Sequence, residues 1–202
     1  MNRKFQARLA YSWPLYLILP LVLGFTVSYL FYVSHRPAYF ETVDVFVGAG
    51  GVEKDDFAKK IETELSDDGM KEATVTYCDP SDSLYSQKLS VVGYNGSDLF
   101  LLPKSTLESI ACSDIMLPFE DAEGFVGSYC GGASGFFEQD GKSYGVGIDA
   151  SGWLSDYVSF VDEDYYLCVN SISKNIGDMG LYDNPEYDLA LKEFVYLRGG
   201  AA

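Results

Sequence analysis

Few residues in this chain have the type and spacing that chemistry requires. The only histidine is His35. A Ser-His-Asp or Cys-His nucleophile therefore has no imidazole base among the residues that follow it. Zinc held through histidines is unsupported for the same reason. The four cysteines, Cys78, Cys112, Cys130 and Cys168, include no Cys-x-x-Cys pair for metal or redox work. Asp67-Asp68, Asp162-Glu163-Asp164 and Asp178 supply carboxylates, but no twelve-residue calcium loop surrounds them, and solvated acidic faces account for them. Asp and Glu are plentiful, yet no pair has a spacing that singles out a general acid and its base. The expectation is a protein that binds, with no catalytic residue, metal or cofactor.

Groups suited to binding are easier to find. Gly48-Ala49-Gly50-Gly51 could bring backbone N–H groups to a ligand at a helix N-terminus. It lacks the Gly-x-Gly-x-x-Gly spacing and the Lys-Ser/Thr of a nucleotide loop, so a plain strand-to-helix turn is the preferred reading. Trp153 could stack on a sugar ring while Asp149 accepts its hydroxyl hydrogen bonds. A Trp filling the core and an Asp in a turn are the commoner explanations of the same residues. Lys104 follows another apolar strand. Gly50, Gly51, Lys104, Asp149 and Trp153 are thus the candidate ligand-binding residues. Cys112 and Cys130 flank an irregular stretch and are the preferred disulfide, and Cys168, inside an apolar strand, reads as a buried thiol.

These residues must be positioned by an α/β framework. Thr42–Val47 alternates and is rich in β-branched residues, so it reads as a strand running into the glycine turn. A helix over Lys54–Leu65 follows, with Phe57, Ala58, Ile61 and Leu65 on one face. Ala73–Cys78 is the second strand, Leu84–Val92 a helix, Asn95-Gly96 a turn, and Asp98–Leu102 a strand covered on both faces. Ser105 with Glu108 predicts a capping box opening a helix over Thr106–Cys112. Met116–Phe137 shows no period. Strands over Ser143–Ile148 and Tyr165–Val169 and a helix over Glu186–Leu197 complete the chain, with Trp153–Val161 of open type. Alternating strands and helices imply a single three-layer α/β domain with a mostly parallel sheet. Ligands of such sheets sit beyond the C-terminal strand ends.

The same chain carries a membrane segment. From Leu9 to Ser34 there is no charged side chain, and the run from Leu15 to Val33 is long enough to cross ~30 Å of hydrocarbon. Tyr11, Trp13, Tyr29 and Tyr32 fit interfacial belts, while Arg3, Lys4 and Arg8 place the N-terminal tail in the cytoplasm. A cleavable signal peptide would have an apolar core of only about 7–15 residues followed by small residues, and His35-Arg36-Pro37 does not fit. The expected organisation is a cytoplasmic tail (1–10), a single transmembrane helix (11–33), a linker (34–41) and an extracytoplasmic domain (42–202). Of fourteen basic residues four precede Glu41, which leaves ten against all thirty acidic ones. Such a field repels phosphate backbones, so nucleic acid is not an expected partner.

In order, Val43–Val47, Ser97–Leu102, Asp140-Gly-Lys-Ser-Tyr-Gly-Val-Gly-Ile-Asp149, Tyr165–Asn170 and Ala190–Leu197 resemble the first lobe of the extracellular solute-binding proteins of ABC importers, the sugar-type members with the type 2 periplasmic-binding fold. The stretch at Asp140–Asp149 is similar to the family's DGKxYGIPxD, with Gly147 where proline is usual. The resemblance implies one lobe, held by a helix where many relatives carry a lipid-modified cysteine. It also implies a binding or accessory component near an ABC transporter, with a small sugar or other neutral solute as ligand. A protein-interaction module that has lost its ligand is the alternative. The charge asymmetry carries a direct test: protease added to intact cells should remove the acidic domain and spare the N-terminal tail, as immunoblotting of each end would show.

Overall fold

In a bilayer a single span must satisfy its own backbone, which only a helix does. In the computed structural model, which describes residues 3–119, 135–161, 164–177, 179 and 186–199, helix α1 covers Arg3–His35. Its Leu17–His35 stretch has a mean hydropathy of 1.9, long and apolar enough to cross a membrane, and none of it is buried. The chain divides into two units, Met1–Pro37 and Ala38–Ala202.

The second unit opens with β1 (Thr42–Gly48), β2 (Gly51–Val52), α2 (Lys54–Glu64) and β3 (Glu72–Cys78). A helical segment follows in three parts, α3 (Tyr85–Lys88), a π-helical turn (Leu89–Gly93) and α4 (Tyr94–Gly96). Then come β4 (Leu99–Pro103), α5 (Lys104–Ser109), β5 (Phe136–Gln139) and β6 (Lys142–Gly147). The described elements end with β7 (Val158–Ser159), β8 (Tyr165–Val169) and α6 (Leu189–Gly199).

Six strands form one sheet in the order β3-β1-β4-β8-β6-β5, and β2 pairs with β7 apart from it. Only β3, β1 and β4 are mutually parallel neighbours. β8 is antiparallel to both β4 and β6, and β5 is antiparallel to β6. The sheet is therefore mixed, and the expected parallel character belongs to one half of it. One of the antiparallel pairings has a local cause at the β5–β6 turn, where Asp140 and Gly141 have φ of 55° and 76°. A two-residue turn of that hand can join only antiparallel neighbours.

Alternation along the strands sends side chains into two cores. Val43, Val45, Val47, Leu99 and Leu101 pack with Phe57 and Ile61 of α2 and Phe194 and Leu197 of α6. Phe46, Phe100, Leu102 and Cys168 pack with Tyr85, Leu89 and Leu107 on the other face. Helices thus cover both faces and make three layers, and β4 is buried throughout, as its continuous apolar run requires.

Three local expectations are corrected. Helix α5 begins at Lys104 with Pro103 at the N-cap and no side-chain cap, so the Ser105–Glu108 capping box does not open it. Asn95-Gly96 lies in the helical turn α4. Strand β5 occupies the end of the stretch read as irregular, because Phe136 and Phe137 find Val146 and Gly145 across the hairpin. α6 begins at Leu189, while Asn184-Pro185 and most of the irregular stretch lie outside the described residues.

Gly145 shows how closely β6 and β8 approach. A Cβ there would stand 2.8 Å from Cys168 Sγ and 3.0 Å from Tyr166 Cβ, and Cys168 is fully buried. Gly145→Ala is expected to lower stability by about 1–3 kcal/mol through overpacking, measured by urea denaturation.

Candidate functional site

Strands β1, β4 and β6 run in one direction, so the loops that hold Gly50-Gly51, Lys104 and Asp149 all leave the same edge of the sheet. What occupies those groups there is the rest of the fold. Gly50 N–H donates to Ser159 O at 2.9 Å, Tyr77 Oη donates to Gly50 O at 3.1 Å, and Gly51 pairs with Ser159 in the β2–β7 ladder. Glu53 N–H, next in the loop, donates to Tyr157 O. The glycine turn is thus engaged by β7.

Trp153 packs its ring against Tyr196 at 4.9 Å, Tyr157 at 6.1 Å and Phe57 at 6.2 Å. Asp149 is exposed, and its Oδ1 accepts from Ser151 N–H at 2.9 Å and Ser151 Oγ at 2.6 Å. Those hydrogen bonds hold its carboxyl below the usual range. Lys104 reaches Glu108 at 3.9 Å and lines an open hollow of ≈ 390 Å³ with Glu138, Gln139 and Tyr166. The five predicted residues share an edge, and four of them are committed to turns and packing within the domain.

Cys112 is a buried thiol whose Sγ lies 3.6 Å from Leu107 O, and burial pushes it up to about 11. Its predicted partner Cys130 lies outside the described residues, and with it the proposed bridge. Cys78, Cys112 and Cys168 are buried in the same core.

At the opposite edge the structure builds a polar pocket that the sequence reading did not single out. The hollow of ≈ 190 Å³ is lined by Tyr39, Thr42 and Asp44 at the start of β1, Ser97 and Asp98 before β4, and Asn170, Ser173 and Asn175 after β8. Asp98 is its centre. Its Oδ2 accepts from Asp44 N–H at 3.0 Å and its Oδ1 from Ser173 Oγ at 2.5 Å. Its own N–H donates to Asp44 O at 2.7 Å, and its carbonyl accepts from Asn170 N–H at 2.9 Å. Asn170 Nδ2 donates to Ser97 O at 2.6 Å. Asn175 Nδ2 donates to both Tyr39 O and Thr42 O at 2.9 Å, while its buried Oδ1 has no hydrogen-bond partner in the described structure. The available signal was an Asp at the mouth of an apolar run and a polar stretch, Asn170–Asn175, directly after a strand.

The electrostatics of this edge are acidic. Desolvation raises Asp98 to about 6 despite the donors around it, with Asp44 adding repulsion. Asp44 is raised in the same sense, desolvation again first and Glu72 adding to it, against a lowering hydrogen bond from Thr74. Glu193, on α6, is completely buried, and neither carboxyl oxygen has a hydrogen-bond partner among the described residues. Desolvation, then Asp98 and Asp44, push it well up, so it is held as the neutral acid.

A carboxyl raised in the folded state binds its proton more tightly there, so its contribution is complete below the unfolded value and is lost as pH rises through the folded one. For Asp98 that window runs from 3.8 to about 6. Glu41, Asp79, Asp82 and Asp149 are depressed and oppose the trend. Thermal denaturation between pH 4 and 7 should therefore show Asp98→Asn reducing the acid-side gain by ~1–3 kcal/mol, with solvent access through the pocket favouring the low end. Glu193→Leu should raise stability at neutral pH by about 1–3 kcal/mol, because it removes two unsatisfied buried oxygens.

Compared with protein-family models, with curated proteins and with solved structures, the chain matches none.

Proposed function

We propose that this chain is a membrane-anchored, non-enzymatic binding domain of the solute-binding-protein kind, displayed outside the membrane as an accessory component beside an ABC transporter. The observation that carries the reading is one of placement. The segments that resemble the family, Val43–Val47, Ser97–Leu102, Tyr165–Asn170 and Asp140–Asp149, fall on β1, β4, β8 and β6, four consecutive strands of one sheet. Chance likenesses scattered over an α/β chain need not be neighbours in space. The fifth segment, Ala190–Leu197, lies in α6, which packs on the same sheet. An apolar helix of the required length precedes the domain. The finer reading, one lobe of the type 2 periplasmic-binding fold, rests on this same adjacency.

A second reading has its own support. Gly50 and Gly51 are paired with β7, Trp153 is covered by three aromatic rings, and Asp149 caps Ser151. Binding a sugar through these groups would first break contacts the domain makes with itself, and preorganised sites avoid that cost. This favours a domain that meets a protein partner in place of a solute.

One experiment separates the two. Thermal unfolding of the full chain in detergent is followed against a panel of sugars and oligosaccharides. A solute at about a hundred times its dissociation constant should stabilise the domain by ~2.7 kcal/mol. Trp153→Ala or Asp149→Ala should abolish that stabilisation if the C-terminal edge holds the solute. A flat response across the panel, with a transporter subunit co-purifying with the wild-type chain, favours the partner reading.

A further inference from the structure

The helical segment α3–α4 and helix α5 lie on the same face of the sheet, where Tyr85, Leu89 and Leu107 pack into one core. Between them runs a groove of ≈ 470 Å³, inside the roughly 300–1,000 Å³ that small-molecule sites occupy. One wall is the segment that turns π-helical at Leu89–Gly93, a distortion frequent at functional positions. It brings Tyr85, Ser86, Ser90 and Tyr94 to the groove, and the start of α5 brings Ser105, Thr106 and Ser109 from the other side. Tyr85 Oη stands over the end of β1, where a Cβ on Gly48 would collide with it. The chain leaves β1 through α2 on the opposite face and leaves β4 through α5 on this one. Connections that part to opposite faces open a crevice at the strand ends, where open α/β sheets seat their ligands.

Charge and hydrogen bonding narrow the class of ligand. None of the side chains lining the groove is charged, although 22% of the residues in the chain are. An ionic ligand would give up its water there with no countercharge to meet it. A wholly apolar ligand would cover hydroxyls without replacing their hydrogen bonds to water. Several of those hydroxyls have already spent their hydrogens within the domain. Ser90 Oγ donates to Ser86 O at 2.8 Å, Ser109 Oγ to Thr106 O at 2.7 Å and Thr106 Oγ1 to Tyr85 Oη at 3.2 Å. Their lone pairs remain to accept from a ligand. Tyr85 is only 7% exposed, and among the described residues its Oη makes no other hydrogen bond, so its own hydrogen is left to donate. Burial holds that phenol well above its ordinary range, which keeps the hydrogen in place. Leu89 and the Tyr94 ring add the apolar surface that the C–H groups of a sugar ring pack against.

We propose that this groove binds a small neutral polyol, a mono- or disaccharide, through Tyr85 and the serine and threonine hydroxyls of its two walls. The inference rests on the solute-binding reading and gives it a site apart from Trp153 and β7, which belong to the core under α2 on the other face.

The test is thermal unfolding of the full chain, held in a detergent without a sugar headgroup. Glucose, maltose and trehalose are the neutral probes, with glucuronate and glucosamine as charged counterparts. A neutral sugar at about a hundred times its dissociation constant should raise the melting temperature by ~5–10 °C, and the charged counterparts should raise it far less. Ser86→Phe, at an exposed position, fills the groove and should remove the rise. Tyr85→Phe keeps the ring and should weaken binding about tenfold, the loss of one hydrogen bond from a buried hydroxyl. Trp153→Ala should leave the rise unchanged. A rise that survives Ser86→Phe, an affinity unmoved by Tyr85→Phe, or a rise lost in Trp153→Ala instead would overturn the groove and leave the solute reading standing. Equal stabilisation by the charged sugars would overturn the neutral ligand class, and no rise with any sugar would refute the groove and the solute reading together.

Discussion

The arrangement of the sheet depends on how the Asp98 carboxyl is satisfied. A carboxyl at the mouth of a wholly buried strand must find donors, and here they come from two different places in the chain. One is the β1 backbone at Asp44 and the other is Ser173, beyond β8. Together with the reciprocal bond from Asp98 N–H to Asp44 O, this ties the start of β4 to β1. It also fixes where the chain returning from β8 must turn. Asn170 and Asn175 extend the ties to Ser97, Tyr39 and Thr42, and Asn175 O accepts from Ala190 N–H at the start of α6. Burial strengthens such a network when it is complete and penalises each member left over.

The network also has a cost that the fold leaves standing. Glu193 is brought into the apolar layer with no donor for either oxygen among the described residues, near two other carboxyls already raised by desolvation. Keeping it neutral is the only inexpensive state. The edge of the sheet that orders the fold is therefore also where protonation weighs on its stability. The loops at the other edge carry their charges in water.

The two edges divide the work of the domain. At the N-terminal strand ends, polar groups satisfy one another around a small hollow bordered by the Tyr39 ring. At the C-terminal strand ends the loops are held by β7, by Ser151 and by packing on Tyr196. A ligand or partner there would meet a surface already ordered, which lowers the entropy of association but leaves few unpaired polar groups to direct it.

Much of the framework was legible in the sequence because it rests on local periodicity. Alternating Val43-Asp44-Val45-Phe46-Val47, the apolar run at Leu99–Leu102 and the helical spacing of Phe57 and Ile61 each locate an element without knowledge of its neighbours. The apolar stretch that ends at His35 and the imbalance of charge after it are equally properties of the chain alone. What a strand pairs with is not local. Nothing in Tyr165–Val169 says that it inserts antiparallel between β4 and β6, and that insertion makes the sheet mixed. The same holds for site residues. Gly50, Trp153 and Asp149 have the types a sugar site uses, but type does not reveal that Ser159, Tyr196 and Ser151 engage them first. Asp44, Asp98 and Ser173 are separated by long stretches of chain and become one pocket only when β1, β4 and β8 are side by side, because hydrogen-bond satisfaction is decided by distance in space, which sequence spacing does not set.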